Sequence, residues 1–293
     1  MLATLISEPF DEPGWVFEEK YDGYRLIAYK EGDRVTLLSR NDKDRTSSFP
    51  DISAAIRKLA AQTLVLDGEA VVFDQKGISR FQLLQQGGKN LRFAAFDCLY
   101  VNGRDLRKEP LSVRRPALEA ILDAHKKLFP SRRIAHNGLT AFAQATRRGL
   151  EGIVAKEERS IYIEGRSKKW LKIKIHQQEE FVIAGYTTPA GARTHFGALL
   201  LGAYDSAGLH YVGKVGTGFS RSSLESLSSL FKRLVRYDSP FIDPPGGRDV
   251  TYLAPNLVAQ IAFQEWTADR KLRQPVFLGL RDDKKPTECL MPG

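Results

Sequence analysis

The chain has 293 residues, 42% of them apolar and 27% charged, which is the composition of a globular protein with room for two domains. No run approaches the roughly 18 consecutive apolar residues of a membrane span, and the start, MLATLISEPFDEPGW, lacks the basic and apolar segments of a signal peptide. Cys98 and Cys289 have no metal-site spacing and fit a reducing compartment, so we expect a cytoplasmic protein.

The net charge of +9 favours an anionic partner. The positive charge is unevenly distributed along the chain. Residues 176–293 hold 13 Lys and Arg against 12 Asp and Glu, which leaves 31 against 23 in residues 1–175. We therefore expect the anion-binding surface to lie mostly in the first part of the chain.

Hydrophobic periodicity predicts a mixture of strands and helices in the first part. The predicted strands are Trp15–Glu19, Tyr24–Lys30, Arg34–Ser39, Leu64–Phe73, Leu91–Val101, Gly152–Lys156 and Trp170–Ile175. The predicted helices are Ile52–Ala61 with Asp51 as N-cap, a short helix around Phe81–Leu84, Val113–His125 with Pro116 near its start, and Thr140–Arg148.

After about Ile175 the pattern changes to strands punctuated by glycines, as in small antiparallel barrels. His176-Gln-Gln178 interrupts the strand pattern, so we place a boundary there, between a domain of residues 1–175 and one of residues 176–293. The predicted strands of the second domain are Phe181–Tyr186, Phe196–Tyr204, Leu209–Val215 and Phe263–Thr267, and its predicted helix is Ser222–Val235.

Lys20-Tyr-Asp-Gly-Tyr-Arg25 places a lysine at the end of a predicted strand, before an Asp-Gly turn. Such a lysine can project its amine into a pocket. Burial or nearby positive charge lowers the pKa of a lysine amine and makes it a nucleophile near pH 7. Arg25 and a bound metal ion are the candidate sources of that charge. Taken alone, the segment is more often a charged surface turn.

Two carboxylates stand beside predicted buried strands. Asp67-Gly-Glu69 precedes an apolar run, and Glu151-Gly-Ile-Val-Ala-Lys156 has the same order of an acid, a glycine and an apolar strand. A carboxylate in such a place is costly unless it binds a metal, a sugar hydroxyl or a cation. Surface acids at strand ends are the alternative for either segment alone.

Lysines alternate in Lys169–Lys174, so Lys172, Lys174 and Trp170 point to one face of a strand. Two ammonium groups on one face repel unless an anion lies between them, which predicts a polyphosphate there. A solvated basic edge strand is the alternative.

Three further segments are ambiguous by themselves. Phe96, before Asp97 in an apolar strand, fits the core or a base-stacking platform. Arg40 ends a strand and suits a phosphate or a ribose. Arg281-Asp-Asp-Lys284 by itself is typical of a charged tail.

In order, the chain reads KYDGYR, SRN, DGEAVVFD, FAAFDCLY, EGIVAK, KKWLKIK and RDDK. This series closely resembles the nucleotidyltransferase motifs of the ATP-dependent DNA ligases, whose superfamily includes RNA ligases and mRNA capping enzymes. The resemblance extends from about Trp15 to Lys284. QIAFQEWTADRKLRQPVFLGLRDDK resembles the end of the ligase domain in bacterial LigD-type end-joining enzymes, although Arg270 stands where such proteins usually have a turn glycine.

The resemblance implies an α+β fold: an ATP-grasp-like nucleotidyltransferase domain of antiparallel sheets with helices, followed by an OB-fold β-barrel. It also implies a role for each motif residue, with Lys20 as the nucleophile that takes AMP from ATP. The other implied contacts are Glu18 and Phe96 with adenine, Arg25 and Glu69 with the ribose and phosphate region, Lys172 and Lys174 with the α-phosphate, Arg166 with a further phosphate, Glu151 and Glu69 with Mg²⁺ or Mn²⁺, Arg40 with the 5′-phosphate of a nick, and Arg281 and Lys284 with the departing pyrophosphate.

The implied reaction joins a 3′-hydroxyl to a 5′-phosphate in nicked duplex DNA through lysyl-AMP and DNA-adenylate, in repair, recombination and non-homologous end joining. The implied partners are nicked duplex DNA, a Ku-type end-binding protein, and polymerase or nuclease modules. We expect a monomer that is associated with the nucleoid and not with a membrane.

Two alternative functions compete with this one. An RNA ligase or a GTP-dependent capping enzyme would share the superfamily motifs, but the FQEWT…RDDK end argues for DNA. A non-enzymatic nucleic-acid-binding OB-fold protein would explain the charge but not Lys20 with its two acids.

Overall fold

The computed structural model describes residues 1–87, 89–122, 125–175, 177–189, 195–247 and 249–292. The chain divides into two compact units, Met1–Ile175 and His176–Gly293. Among the described residues, none of the helices combines the length and the apolar character of a membrane span.

The first unit is built mainly from strands. They are β1 (Leu2–Ile6), β2 (Trp15–Lys20), β3 (Tyr24–Glu31), β4 (Arg34–Ser39), β5 (Thr63–Val71), β6 (Arg92–Val101), β7 (Arg104–Asp105), β8 (Leu128–Pro130), β9 (Arg133–Ala135), β10 (Gly152–Glu157) and β11 (Arg166–Lys174). The helices are α1 (Pro50–Arg57), α2 (Phe81–Gln85), α3 (Leu111–Leu122) and α4 (Gly138–Arg148).

These strands form two sheets, each with its own core. One sheet has the order β1-β11-β10-β2-β9, and the other has the order β4-β3-β5-β6-β7 with β8 paired to β6. The apolar face of the first sheet, with Phe17, Ile153 and Ile173, packs against Ala141 and Ala145 of α4. The second sheet buries a larger cluster that includes residues of α1 and α3.

The pairing register of β2, β10 and β11 decides which side chains share a face. Lys20 lies opposite Gly152, and Gly152 lies opposite Lys174. Two residues along, Val154 lies between Glu18 and Lys172 in the same way. Because side chains alternate along a strand, Glu18, Lys20 and both lysines of β11 belong to the face away from α4.

The glycines of the Asp-Gly segments are required where strands approach closely. A Cβ at Gly68 in β5 would collide with the ring of Phe93 and lie 2.7 Å from the Ala94 carbonyl oxygen in β6. A Cβ at Gly23 would collide with the Ala70 carbonyl oxygen. Both glycines therefore serve packing beside the functional segments.

The second unit contains one mainly antiparallel sheet. Its elements are β12 (Gln178–Thr187), β13 (Leu199–Tyr204), β14 (Leu209–Val215), α5 (Arg221–Phe231), β15 (Val235–Arg236), β16 (Val250–Ala262) and β17 (Val276–Leu280). The order is β14-β13-β12-β16-β15, with β17 also paired to β16. Its core holds Phe181, Leu201, Val212, Phe231 and Ile261.

The expected closed barrel is an open sheet in the part of this unit that the structure describes. Isolated backbone hydrogen bonds, Leu272 N to Val212 O at 2.8 Å and Phe277 N to Thr217 O at 3.0 Å, join its two edges in place of a ladder. Gly218, with a φ of 91°, lies so close to the Phe277 backbone that a Cβ would collide with it. These irregular contacts stand where a closed barrel would have a continuous pairing of two strands.

Most predicted elements of the first unit are confirmed within a few residues, but the helix starts differ. α1 begins at Pro50 with Phe49 as N-cap, so Asp51 is in the first turn and the predicted cap is wrong. Pro116 lies inside α3, because that helix begins at Leu111. Residues 123–124 of the predicted helix Val113–His125, and His176 at the predicted boundary, lie outside the described residues.

In the second unit the predicted strand Phe263–Thr267 is wrong, because β16 ends at Ala262. β16 itself was missed, since Pro255 argues against a strand. The register shift between Ile183 and Gly185 of β12 places Pro255 in a bulge, where the absent N–H costs no ladder bond. Arg270 has a φ of 54°, the left-handed region that glycine adopts most easily.

Gly68→Ala should destabilise the protein by about 1–3 kcal/mol, because the new methyl group must displace the buried Phe93 ring. Gly246→Ala is the matched control, since a Cβ there has no atom of a described residue within 4 Å. Thermal or urea unfolding of both variants measures the difference. Equal stability of the two would contradict the close packing described for β5 and β6.

Candidate active site

Lys20 ends β2 and donates from Nζ to Glu151 Oε1 at 2.5 Å. The two side chains are 19% and 8% exposed. Burial lowers the pKa of the Lys20 ammonium, but Glu151 above all, then Glu69 and Asp22, raise this pKa above its ordinary value. The expected lowering is therefore wrong for this conformation, in which Lys20 is a paired ammonium.

Arg25 does not provide the positive charge expected beside Lys20. It makes a two-pronged ion pair with the fully buried Asp67, from Nε to Oδ1 at 3.0 Å and from Nη2 to Oδ2 at 2.6 Å. The Tyr162 hydroxyl donates to the same Oδ2 at 2.8 Å. Glu69 lies opposite Arg25 in the register of β3 and β5. Asp67 was quoted in the sequence motif but had been assigned no role.

Glu18 is buried and holds three donors. Its Oε1 accepts from Arg115 Nη1 at 3.0 Å, and its Oε2 accepts from Ser131 Oγ at 2.5 Å and from Lys156 Nζ at 2.7 Å. Arg115 comes from α3 and Lys156 from β10. These contacts fix the position of the carboxylate from three separate segments of the chain: α3, β10 and the loop that contains Ser131.

Lys156 joins Glu18 to Phe96. Its Nζ also donates to the Phe96 carbonyl oxygen at 3.0 Å and lies 5.2 Å from the centre of the Phe96 ring and 4.3 Å from that of Trp170. Burial lowers the pKa of Lys156, and Glu18 and Asp97 oppose that effect. Lys156, a buried cation, thus holds both Glu18, which is predicted to contact the base, and Phe96, which is predicted to stack on it.

Phe96 sits at a bulge in β6, where the register jumps from Asp97 opposite Asp67 to Ala95 opposite Gly68. A bulge turns its extra residue out of the regular alternation. Asp97 beside it is buried and makes a two-pronged pair with Arg114, both distances being 2.8 Å. This pair anchors β6 next to the bulge.

The other predicted phosphate-binding residues lie at three places. Lys172 and Lys174 are half-buried on the face of the sheet that carries Lys20. Arg166, at the start of β11, donates to the Ala3 carbonyl oxygen at 2.8 Å. Arg40 follows β4 and, together with Arg25, lines a cleft of about 930 Å³ in the first unit.

The residues around Lys20 fit a magnesium or manganese ion. Glu151 Oε2 is buried and has no hydrogen-bond partner in the described part of the chain, so it is an acceptor available to a metal. No cluster of three or more His, Cys, Asp or Glu side chains suited to a metal occurs among the described residues. Mg²⁺ commonly takes only one or two carboxylates together with water and substrate phosphates.

In the second unit the RDDK segment is well ordered by its own contacts. Arg281 is buried, pairs with Asp283 through two contacts of 2.8 Å, and donates to Gln260 Oε1 at 3.0 Å. Lys284 Nζ lies 3.5 Å from Glu180 Oε1. The segment is therefore part of the fold and not a charged tail.

Some site residues carried a sequence signal and others did not. Lys156 follows Gly152 and Val154 in the alternation of β10, so its face could have been predicted. Arg115 and Ser131 lie 97 and 113 positions from Glu18, and nothing in their local sequence marks them as its partners.

Comparison with known proteins matches both units to one family. Residues 1–174 match the family described as ATP dependent DNA ligase domain, and residues 192–284 match the ATP dependent DNA ligase C terminal region. The multifunctional non-homologous end joining protein LigD of Pseudomonas aeruginosa is 38% identical over 98% of this chain, and the Mycobacterium tuberculosis LigD is 40% identical over 94%. The chain spans only 36% and 37% of the lengths of these two relatives.

Solved structures agree with this assignment. One described as mycobacterial DNA ligase D complexed with ATP and MES has a TM-score of 0.72 and 34% identity, and the match covers 99% of this chain and 98% of that one. The ligase domain of Mycobacterium tuberculosis LigD has a TM-score of 0.54 and 36% identity over the same shares of the two chains. The chain thus consists of a nucleotidyltransferase-type domain followed by an OB-fold domain, and it belongs to the ATP-dependent DNA ligase family.

Proposed function

We propose that this protein takes AMP from ATP onto Lys20 and uses it to seal nicks in duplex DNA during end joining. The observation that carries the proposal is the convergence at the end of β2. A lysine amine, the Glu151 carboxylate, the charge of Glu69 and the two lysines of β11 meet on one side of a sheet. The names of the LigD relatives support the end-joining role.

The first step transfers AMP to the enzyme. The Lys20 nitrogen forms a bond to the α-phosphorus of ATP, the bond from that phosphorus to the bridging oxygen breaks, and pyrophosphate leaves. Before it attacks, the ammonium must lose a proton, and withdrawal of Glu151, whose Oε1 lies 2.5 Å from Lys20 Nζ, toward a metal would favour that loss. Lys172 and Lys174 hold the α-phosphate, with Arg166 as a further phosphate contact.

A divalent cation, Mg²⁺ or Mn²⁺, held by Glu151 and Glu69 would neutralise charge on the triphosphate when bound. The unused Oε2 of Glu151 supports this assignment. Arg25, held by Asp67, is placed beside Glu69 to contact the ribose and phosphate region.

The second and third steps occur on DNA. The 5′-phosphate of the nick attacks the lysyl-AMP phosphorus and releases Lys20, and the 3′-hydroxyl then displaces AMP to form the phosphodiester. Arg40 beside the cleft would hold the 5′-phosphate. These contacts address the DNA backbone, so the protein would seal nicks without regard to base sequence.

The Glu18 carboxylate favours adenine over guanine. A carboxylate accepts a hydrogen bond from the 6-amino group of adenine, whereas guanine presents a carbonyl oxygen there. The three hydrogen bonds to Glu18 fix its carboxylate, so the side chain would not rotate to avoid the guanine carbonyl oxygen. This argues against a GTP-dependent capping enzyme, and Phe96 would stack on the selected base.

The partners belong to the proposal as well. Because the chain spans little more than a third of its LigD relatives, Ku-type proteins and polymerase or nuclease modules are proposed as partners by similarity. We propose a cytoplasmic, nucleoid-associated monomer that acts on nicked duplex DNA.

Incubation with radiolabelled ATP or GTP, followed by denaturing electrophoresis, tests the function. Label should appear on the protein from ATP only, and the labelled protein should seal a nicked duplex. Label from GTP, or sealing confined to RNA ends, would favour the alternative enzymes of the superfamily. Absence of any label would favour a non-enzymatic binding protein.

Lys20→Ala should abolish labelling by ATP, because the nucleophile is lost. Closure of a nick that already carries AMP should persist, since that step does not use the amine. Lys20→Arg is the matched control for charge: it can still pair with Glu151 but should not take up AMP. Self-labelling of either variant would show that another residue is the nucleophile.

Lys284→Ala should lower self-adenylylation by roughly 10- to 100-fold while sparing closure of a pre-adenylylated nick, because we propose that Lys284 orients pyrophosphate as it leaves. We propose the same role for Arg281, but Arg281→Ala also strands the buried Asp283, which should cost about 3–5 kcal/mol of stability. Melting curves and both assays separate the two effects. An equal loss of both steps in Lys284→Ala would assign that residue to DNA binding instead.

A further inference from the structure

Two arginines that the ligase motifs do not include lie beside Tyr21, the residue after Lys20. Arg132 precedes β9, which pairs with the edge of β2 opposite to β10. Its N–H donates to the Tyr21 hydroxyl at 3.1 Å, and its carbonyl accepts from Glu19 N at 2.9 Å. Arg92 opens β6 in the other sheet.

Both guanidinium groups rest on the same two aromatic rings. The Arg92 Cζ lies 4.5 Å from the centre of the Phe129 ring and 5.7 Å from that of Phe73. The Arg132 Cζ lies 5.7 and 5.4 Å from the same two centres. The rings themselves are 6.0 Å apart. Two cations are therefore held close together by one aromatic pair.

Positive charge at this place exceeds negative charge. Arg92 makes no ion pair with any described residue, and its Nε is buried without a hydrogen-bond partner. Burial and the charge of Arg132 lower the pKa of Arg92. Arg132 and Arg148 face a single carboxylate oxygen of Glu19, at 3.6 and 3.8 Å. Arg132 and Arg148 thus share one acid, and Arg92 has no acid among the described residues.

The acid itself does not satisfy the arginines. Glu19 is buried, and neither of its carboxylate oxygens has a hydrogen-bond partner among the residues that the structure describes. Burial raises the pKa of Glu19 against the opposing effect of Arg132 and Arg148. The side chains of Arg132 and Arg148 are 41% and 46% exposed, so an anion from solution can reach them.

We propose that Arg92 and Arg132 form a binding site for a phosphate oxyanion, and that its occupant is a backbone phosphate of the DNA duplex beside the nick. A phosphate between the two guanidinium groups would relieve their repulsion and supply the buried N–H with an acceptor. The identification of the phosphate as that of DNA rests on the proposed ligase function.

Strand order separates this site from the phosphates of ATP. Lys172 and Lys174, proposed to hold the α-phosphate, are on β11, and the order β11-β10-β2-β9 puts three strand spacings between them and β9. At about 4.8 Å for each spacing, the distance is roughly 14 Å. Lys20 itself is only one spacing from β9, but Arg132 pairs with Glu19, whose side chain belongs to the face of β2 opposite to Lys20. A triphosphate held at Lys20 and β11 therefore does not extend to Arg132, and the second phosphate comes from another molecule.

Arg92→Met and Arg132→Met test the site, because methionine keeps an apolar stem against the rings and removes the charge. Binding is measured on a nicked duplex with a dideoxy 3′ end, over a range of salt concentrations. Each variant should bind roughly tenfold more weakly, and the slope of log K against log salt should fall by about 0.9, the value for one phosphate. The double variant should lose no more slope than either single one, since both arginines share that phosphate.

Controls separate this site from fold and from bulk charge. Arg57→Met removes an exposed arginine of α1 and should leave the slope unchanged. Arg92→Lys keeps the charge and should retain most of the slope. Unchanged slopes in folded Met variants would overturn the proposal.

Labelling by ATP distinguishes the two sources of phosphate. It should be the same in wild type and in both Met variants. A loss of labelling with an unchanged DNA slope would assign the anion to ATP and overturn the DNA assignment. Wild-type protein that takes no AMP from ATP would instead refute the proposed function, whatever the arginine variants do.

Discussion

The ion pair between Lys20 and Glu151 is the contact on which the site depends. It forms because Glu151 directly precedes β10 and Gly152 pairs with Lys20 across the sheet. The pairing stabilises the charged form of Lys20 and occupies one oxygen of the carboxylate. If Lys20 is the nucleophile and Glu151 a metal ligand, as we propose, a metal ion that draws Glu151 away would also favour loss of the proton from Lys20, so metal binding and activation of the amine would be coupled.

Strand order also arranges the phosphate-binding groups. The lysines of β11 lie on one side of Lys20 along the sheet, and the arginine pair at β9 and β6 lies on the other. If these groups bind a nucleotide phosphate and a DNA phosphate, as we propose, the two anions would not compete for the same cations. Both groups of basic residues lie in the first unit, which holds most of the excess positive charge.

Local patterns in the sequence predicted what depends on local geometry. The alternation of Lys172 and Lys174 and the position of Lys20 at a strand end follow from the period of a strand, and the register agrees. The direction of the pKa shift at Lys20 was wrong, because it depends on whether Arg25 or Glu151 lies nearer. The sequence cannot specify that distance.

Features that arise from pairing between distant segments could not be predicted from local sequence patterns. The bulge that sets Phe96 apart needs the register of β5 against β6. The strand containing Pro255 needs the bulge against β12. Arg281, which follows β17, donates to Gln260 of β16, and this contact helps to hold it in its buried position. In each case the local sequence is compatible with several outcomes, and tertiary contacts select one.

The three-donor clasp on Glu18 has a consequence for how base preference can change over evolution. A mutation that replaces this carboxylate leaves Lys156 and Arg115 as buried cations that have lost a counter-charge, and stranding a buried charge is strongly destabilising. If Glu18 contacts adenine, as we propose, a shift to another base by replacing Glu18 would need compensating changes in α3, in β10 and near Ser131. The stability of the core would then protect nucleotide choice against single substitutions at this position.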